Sequence, residues 1–202
     1  MSAPAARAGI WLADLAAVSD ARLAGYLAWL GDDELARHGR FVRVERRRQF
    51  VAGRALLRLA LGRLLDADPG AVLLDAQPGR APRLLAPAVA VPGISVSHSG
   101  RWVACAVSLD AAVGLDIEVR DAGRDLLALA EQAFDAVTCT WLAALPDTTR
   151  VDAFYAAWSG HEARIKLGVP AACCIEVPHA ELAMVLCGAL PLAPPTVEAV
   201  NL

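Results

Sequence analysis

From about Val42 to Leu65 the chain carries one long helical pattern without proline, in which Phe50, Leu57, Leu61 and Leu64 recur at helical spacing and would face a core. Arg43, Arg47, Arg54 and Arg58 fall along another face of the same helix. Upstream, Gly9 to Leu12 reads as a strand, and about Asp20 to Leu30 and Asp33 to Gly39 as helices. After Pro69-Gly70 the pattern changes to short runs broken by glycines and prolines: Ala71 to Leu74, Gln77-Pro78-Gly79, Pro82, Pro87 and Pro92-Gly93. Such punctuation marks strands and loops. Gly93 to Ser97 and Trp102 to Leu109 flank His98-Ser99-Gly100-Arg101 as a hairpin would, and a third strand follows at Val113 to Val119.

The second half repeats this order in outline. Its strand Val113 to Val119 precedes helices from about Leu126 to Leu145 and Val151 to Leu167, then a terminal strand near Leu182 to Cys187. The expected class is α+β, with two halves side by side at residues 1–109 and 110–202, and the proline-rich end Pro191 to Leu202 read as a tail.

Composition narrows the function classes. With 56% hydrophobic and 20% charged residues in 202, the chain lies far from disordered profiles and has material for a large core. The uncharged C-terminal stretch Leu182 to Val197 is broken by Pro191, Pro194 and Pro195, so no membrane span is expected there. Asp14 and the charged continuation spoil Gly9 to Val18 as a signal peptide, which leaves the cytoplasm as the expected compartment. The five cysteines, Cys105, Cys139, Cys173, Cys174 and Cys187, form no Cys-x-x-Cys pair and are odd in number. They are read as small core hydrophobes in a reducing environment, with no structural zinc.

Residues 1–100 hold 13 Arg against 9 acids, while residues 101–202 hold 5 Arg and one Lys against 13 acids. A basic half and an acidic half suit a site that grips anionic phosphates on one side and a metal ion on the other. Nucleic acid is not the expected partner, because the basic residues lack interleaved aromatics and a recognisable binding module.

Three groups of residues carry candidate chemistry. Strand alternation in Val113-Gly114-Leu115-Asp116-Ile117-Glu118 puts Asp116 and Glu118 on one face, where two like charges invite a cation between them. An isolated Asp-x-Glu is more often a polar surface face. Trp158, Glu162 and Lys166, spaced i, i+4 and i+8, share one side of a helix. A surface Glu-to-Lys helix pair is the plain alternative, but Lys166 is the only lysine beside 18 arginines, which points to a specific use of its compact ammonium. Ser97-His98-Ser99 at a hairpin tip can contact phosphate oxygens or simply cap a turn, and no Gly-x-Ser-x-Gly is present to make it part of a hydrolase triad.

Taken in order, the Arg-rich helix, the Gly79-Arg80-Ala81-Pro82 loop, Ile94-Ser95-Val96-Ser97-His98-Ser99-Gly100-Arg101-Trp102, Val113 to Glu118, and Trp158 to Lys166 resemble the surfactin-synthetase-activator type of 4′-phosphopantetheinyl transferase, from about Arg37 to Gly168. That resemblance implies two pseudo-symmetric α+β halves with the active site between them. It implies Mg²⁺-dependent transfer of 4′-phosphopantetheine from coenzyme A to a serine of an apo acyl or peptidyl carrier protein, releasing 3′,5′-ADP. Asp116, Glu118 and Glu162 would be the Mg²⁺ ligands, Glu162 also the base, and Lys166 the cation on the transferring phosphate. Ser97 and His98 would contact coenzyme A, His98 within the catalytic set, and Arg37, Arg48, Gly79, Arg80 and Pro82 would form its cradle. The chain departs from the family pattern at His161, where relatives carry lysine, at Asp135 after Phe134, and in the short span between Gly168 and the last strand. These departures support an alternative, a catalytically weak member that binds coenzyme A or a nucleotide as a regulatory partner. A Mg²⁺-dependent phosphodiesterase would share the carboxylates but not Ser97, His98 and the arginine loop.

Overall fold

The computed structural model describes residues 4–75, 81–87 and 91–202. In chain order these form β1 (Gly9–Asp14), α1 (Asp20–Tyr26), α2 (Asp32–Arg40), α3 (Val44–Leu65), β2 (Leu73–Asp75), β3 (Arg83–Ala86), β4 (Gly93–Ser99), β5 (Trp102–Ser108), β6 (Val113–Val119), α4 (Leu126–Ala133), α5 (Ala136–Ala144), α6 (Asp147–Leu167), β7 (Cys173–Glu176), β8 (Leu182–Gly188) and β9 (Thr196–Ala199). The class is α+β, as the sequence predicts. One sheet has the order β4-β5-β1-β9 and another β6-β8-β7, while β2 and β3 form a separate pair.

Strand alternation sorts these sheets into layers. On the first sheet, Trp11, Ala13, Val103, Cys105 and Val107 pack against Leu56, Leu57 and Leu61 of α3. The opposite face, with Ile10, Leu12, Ala104 and Ala106, packs on Leu115, Ile117, Met184 and Leu186 of the second sheet. The far side of that sheet, at Val185 and Cys187, meets Ala163 and Leu167 of α6. The result is helix, sheet, sheet, helix. Strand β8 is buried at all seven positions because it is covered on both faces, so it shows no polar alternation.

Two glycines set the close approach of α6. A Cβ on Gly114 would lie 2.0 Å from the carbonyl oxygen of Ala163, so only glycine lets β6 sit this near the helix. Gly168 ends α6 in the left-handed conformation, φ 72°.

Three expectations need correction. Pro191 to Leu202 is no tail: β9 pairs in parallel with β1, from Gly9↔Thr196 to Leu12↔Ala199, and Leu202 is 2% exposed within the α3 core. The prolines turn the chain back to an edge strand, and the C-terminus completes the first sheet. Arg43, Arg47, Arg54 and Arg58 do not share one environment along α3: the first two are exposed, while Arg54 and Arg58 are buried with the carboxylate of Glu34 from α2 against them. Cys174 and Cys187 are not separate core hydrophobes, since they face each other across β7 and β8 and are joined as a disulfide. Cys105 is a buried free thiol, as predicted. Among the described residues no helix is long and apolar enough to cross a membrane.

Candidate active site

Strand β6 and helix α6 run antiparallel, with Gly114 against Ala163 and Leu167 at one end and the Tyr155 hydroxyl donating to the Asp121 carbonyl (3.3 Å) at the other. Alternation along β6 sends Leu115 and Ile117 into the core between the sheets, and Asp116 and Glu118 to the side facing α6. Lys166 crosses this gap. Its ammonium donates to Asp116 Oδ1 (2.7 Å) and to Ser97 Oγ (2.8 Å), joining α6, β6 and β4 at one point. Asp116 is 3% exposed, and its second oxygen, Oδ2, is buried without a hydrogen-bond partner among the described residues. Burial, and then the neighbouring Asp116 charge, raise the pKa of Glu118 above the ordinary carboxylate value against the lowering effect of its hydrogen bond from Ser99. Glu162 stands one helical turn before Lys166, partly exposed, and makes no hydrogen bond or ion pair among the described residues.

The structure therefore brings Asp116, Glu118 and Lys166 together but does not gather Glu162 with the other two carboxylates. Among the described residues no three His, Cys, Asp or Glu side chains are close enough to hold a metal ion. His161 turns its ring edge-on to Phe134 at 5.9 Å.

Beside Lys166 opens a cleft of about 490 Å³, lined from α2, α3, β4 and α6. Arg37, Arg46, Phe50 and Arg54 line it from α2 and α3, Pro82 and His98 from the strand side, and Lys166 from α6. The guanidinium of Arg46 lies against the His98 ring, 3.1 Å from Nδ1 and 2.9 Å from Nε2. Burial, then the Arg46 charge, push the His98 pKa down to about 4, so near neutrality this ring is uncharged and serves as a hydrogen-bonding group. Phe50 is flanked by the guanidinium groups of Arg37 (5.6 Å) and Arg54 (5.2 Å). Burial lowers the Arg54 pKa to about 10, which still leaves it charged. Beneath the cleft, Glu34 pairs with Arg54 (3.2 Å) and accepts from Arg58 (2.5 Å) and the backbone N–H of Gly31 (3.1 Å).

Several expected contacts lie elsewhere. Arg48 is off the cleft: its guanidinium donates to the carbonyls of Leu15 (3.0 Å) and Val18 (2.6 Å) and pairs with Asp20. Ser97 lies below the cleft floor, 3% exposed, with its single proton directed to Asp116 Oδ1 (2.9 Å). Gly79 and Arg80 fall outside the described residues.

Sequence reasoning missed Arg46, Glu34 and Ser95, placed Phe50 only in the core, and read Ser99 only as a hydroxyl at the hairpin tip. For the serines a signal existed in their recurrence at every second position, 95, 97 and 99. Their hydroxyls accept from the backbone N–H groups of Leu115 (2.9 Å), Ile117 (3.2 Å) and Val119 (3.0 Å). These N–H groups sit on the free edge of the second sheet, so side-chain oxygens of β4 satisfy an edge that has no strand partner of its own.

Residues 112–176 match the model of the 4′-phosphopantetheinyl transferase superfamily. The chain is similar to the 4′-phosphopantetheinyl transferase HetI of Nostoc sp., with 36% identity over 149 residues, 73% of this chain and 62% of that protein. It is also similar to the 4′-phosphopantetheinyl transferase of Bacillus subtilis, with 31% identity over 127 residues, 63% of this chain and 54% of the relative. The chain thus spans less than two thirds of the length of these relatives. Asp116, Glu118, Glu162 and Lys166 all lie inside the matched stretch, so residues 112–176 carry a 4′-phosphopantetheinyl transferase superfamily domain.

Proposed function

We propose that the protein transfers 4′-phosphopantetheine from coenzyme A to a serine of an apo acyl or peptidyl carrier protein, releasing 3′,5′-ADP. The observation that supports this reading best is the continuity of charge from the arginine-lined cleft to Lys166 and, through it, to Asp116. A ligand with one end gripped by Arg37, Arg46 and Arg54 would have phosphates within reach of Lys166. Anionic, elongated co-substrates fit that layout.

Mg²⁺ fits the carboxylate pair. The orphaned Asp116 Oδ2 is a buried acceptor in want of a positive partner, and Mg²⁺ is commonly held by one or two carboxylates, waters and substrate phosphates. Asp116 and Glu118 would hold it, and Glu162, which is not gathered with them, is left to act as the base. When bound, the ion supplies charge neutralisation for the pyrophosphate.

The chain's own groups divide the remaining work. The carrier serine oxygen attacks the phosphorus next to pantetheine, the bond from that phosphorus to the oxygen of 3′,5′-ADP breaks, and the serine proton passes to Glu162, whose carboxylate is free of any competing partner. Lys166 stabilises charge on the phosphoryl oxygens. Neutral His98 and cationic Arg46 hold the co-substrate in line. Little bond-making falls to the protein, so positioning and electrostatics carry the rate.

The test is mass spectrometry of several apo carrier proteins incubated with purified protein, coenzyme A and Mg²⁺, beside Glu162→Ala and metal-free controls. A phosphopantetheine mass gain lost in both controls is the expected result. Coenzyme A binding without any mass gain would favour the binding-only member, and coenzyme A turnover without an acceptor would favour the phosphodiesterase.

The placement of the two neighbouring arginines gives a sharper check. Arg46→Ala should weaken coenzyme A binding by about tenfold or more, the loss of a charge-assisted bond. Arg48→Ala should lower thermal stability while leaving that affinity near wild type, because its guanidinium only ties α3 to the loop after β1. Calorimetric titration of both variants decides; equal losses of affinity would sink the assignment of the cleft wall.

A further inference from the structure

The three serines of β4 make the same bond to the backbone of β6, but only two of them also touch a carboxylate. Ser99 accepts from the Val119 N–H and donates its proton to Glu118 Oε2 at 2.7 Å. Ser97 accepts from the Ile117 N–H and from Lys166, and donates to Asp116 Oδ1 at 2.9 Å. Ser95 accepts from the Leu115 N–H, and its nearest acceptor is the Leu115 carbonyl at 3.5 Å.

A hydroxyl has one proton and two acceptor sites, so filling its acceptor sites fixes where the proton points. At Ser97 both acceptor sites are taken, by Ile117 and Lys166, and the proton has only Asp116 to go to. At Ser99 the backbone N–H of Val119 anchors the oxygen from one side, and the proton reaches the carboxylate from the other. Each serine thereby pins one named oxygen of its carboxylate. Asp116 Oδ2 is left without a protein partner, and the pinned oxygen of Glu118 is its Oε2, which leaves Oε1 as the oxygen without a Ser99 bond.

We infer that Ser99, with Ser97 beside it, is a positioning residue that fixes the orientation of the β6 carboxylates for a divalent cation. This rests on the reading of Asp116 and Glu118 as the cation site proposed above. It also gives the joint between the two sheets a task beyond stability: a strand of the first half aims the acidic groups of the second. The ladder of serines at positions 95, 97 and 99 serves the joint throughout, and the carboxylates only at its last two rungs.

The experiment uses the full chain, metal-free, titrated with Mn²⁺ as a spectroscopic substitute for Mg²⁺ and followed by electron paramagnetic resonance without co-substrate. Ser99→Ala is expected to raise the Mn²⁺ midpoint at least about tenfold, the usual cost of losing a hydrogen bond that orients a metal ligand. Ser99→Thr, which keeps the hydroxyl on a residue suited to a strand, should restore it. Ser95→Ala loses a backbone bond of the same kind and is expected to melt earlier than wild type while keeping the wild-type Mn²⁺ midpoint.

A Ser99→Ala midpoint equal to wild type would overturn the inference, and so would an equal shift in Ser95→Ala, since both outcomes reduce the serines to structural bridges. The carrier-protein assay separates the two levels of failure. If wild-type protein modifies a carrier and Ser99→Ala binds Mn²⁺ normally, only the positioning role falls. If wild-type protein neither binds Mn²⁺ nor modifies any carrier, the cation site and the positioning role fall together.

Discussion

Replacing Asp116 by Asn is expected to lower the rate of phosphopantetheine transfer by about 10²–10³, with coenzyme A affinity measured without metal left near wild type. The side chains match in shape, so the effect isolates charge and donor pattern. Lys166 and the Ser97 hydroxyl both donate toward Oδ1, and they will hold the amide with its carbonyl oxygen there. The amide NH₂ then occupies the place of Oδ2, presenting a donor where the wild type presents an unpaired acceptor. A cation loses its ligand and meets a repulsive group instead.

The fold should survive this change, because the partner left behind is Lys166, whose side chain is 30% exposed and can reach water. The opposite deletion, Lys166→Met, would strand a buried carboxylate and confound activity with stability. Release of 3′,5′-ADP together with carrier mass, measured over a range of Mg²⁺ concentrations, checks the expectation. Transfer within about tenfold of wild type at saturating Mg²⁺ would remove Asp116 from the reacting centre.

Much of this frame was legible in the sequence where one periodicity decides the structure. The hairpin of β4 and β5, the alternation that sends Asp116 and Glu118 to one side of β6, and the long helices α3 and α6 all follow from spacing alone. Which arginines of α3 face the cleft did not follow. Arg43, Arg46, Arg47, Arg54 and Arg58 crowd one side of that helix with Arg48 apart, and only the packed sheet and α2 select Arg46 and Arg54 for the cleft and send Arg48 to the loop after β1. The four residues of β9 are too few to show a pattern, and they pair with the strand at the other end of the chain. Periodicity at positions 95, 97 and 99 was visible, but the edge it satisfies belongs to a strand 20 residues on. Glu34 was the least legible. One acid in an acidic stretch looks like a solvated helix start until the fold buries it.

That burial sets the largest expected effect on stability. Glu34 is 1% exposed, pairs with Arg54 and accepts from Arg58 and from the Gly31 N–H, so one carboxylate holds two guanidinium groups under the cleft. Arg58 is equally buried, and among the described residues its Nε has no hydrogen-bond partner. Glu34→Ala would leave both cations in the interior with no negative group against them. Breaking a buried pair from one side costs about 3–5 kcal/mol, which for a chain of this size lowers Tm on the order of 10 °C. Burial already lowers the Arg54 pKa to about 10 with the Glu34 charge opposing the shift, so loss of Glu34 pushes it lower still and makes the stranded charge more costly. A second substitution should return part of the loss: Arg58→Met in the Glu34→Ala background removes one stranded charge and fills its space with apolar atoms, making the double variant more stable than the sum of the single changes implies. Calorimetric melts of the wild type, both single variants and the double variant measure this coupling. Additive losses would mean that Glu34 and Arg58 stabilise the fold independently, and a Glu34→Ala Tm within about 3 °C of wild type would mean that the buried carboxylate does not hold the cleft wall in place.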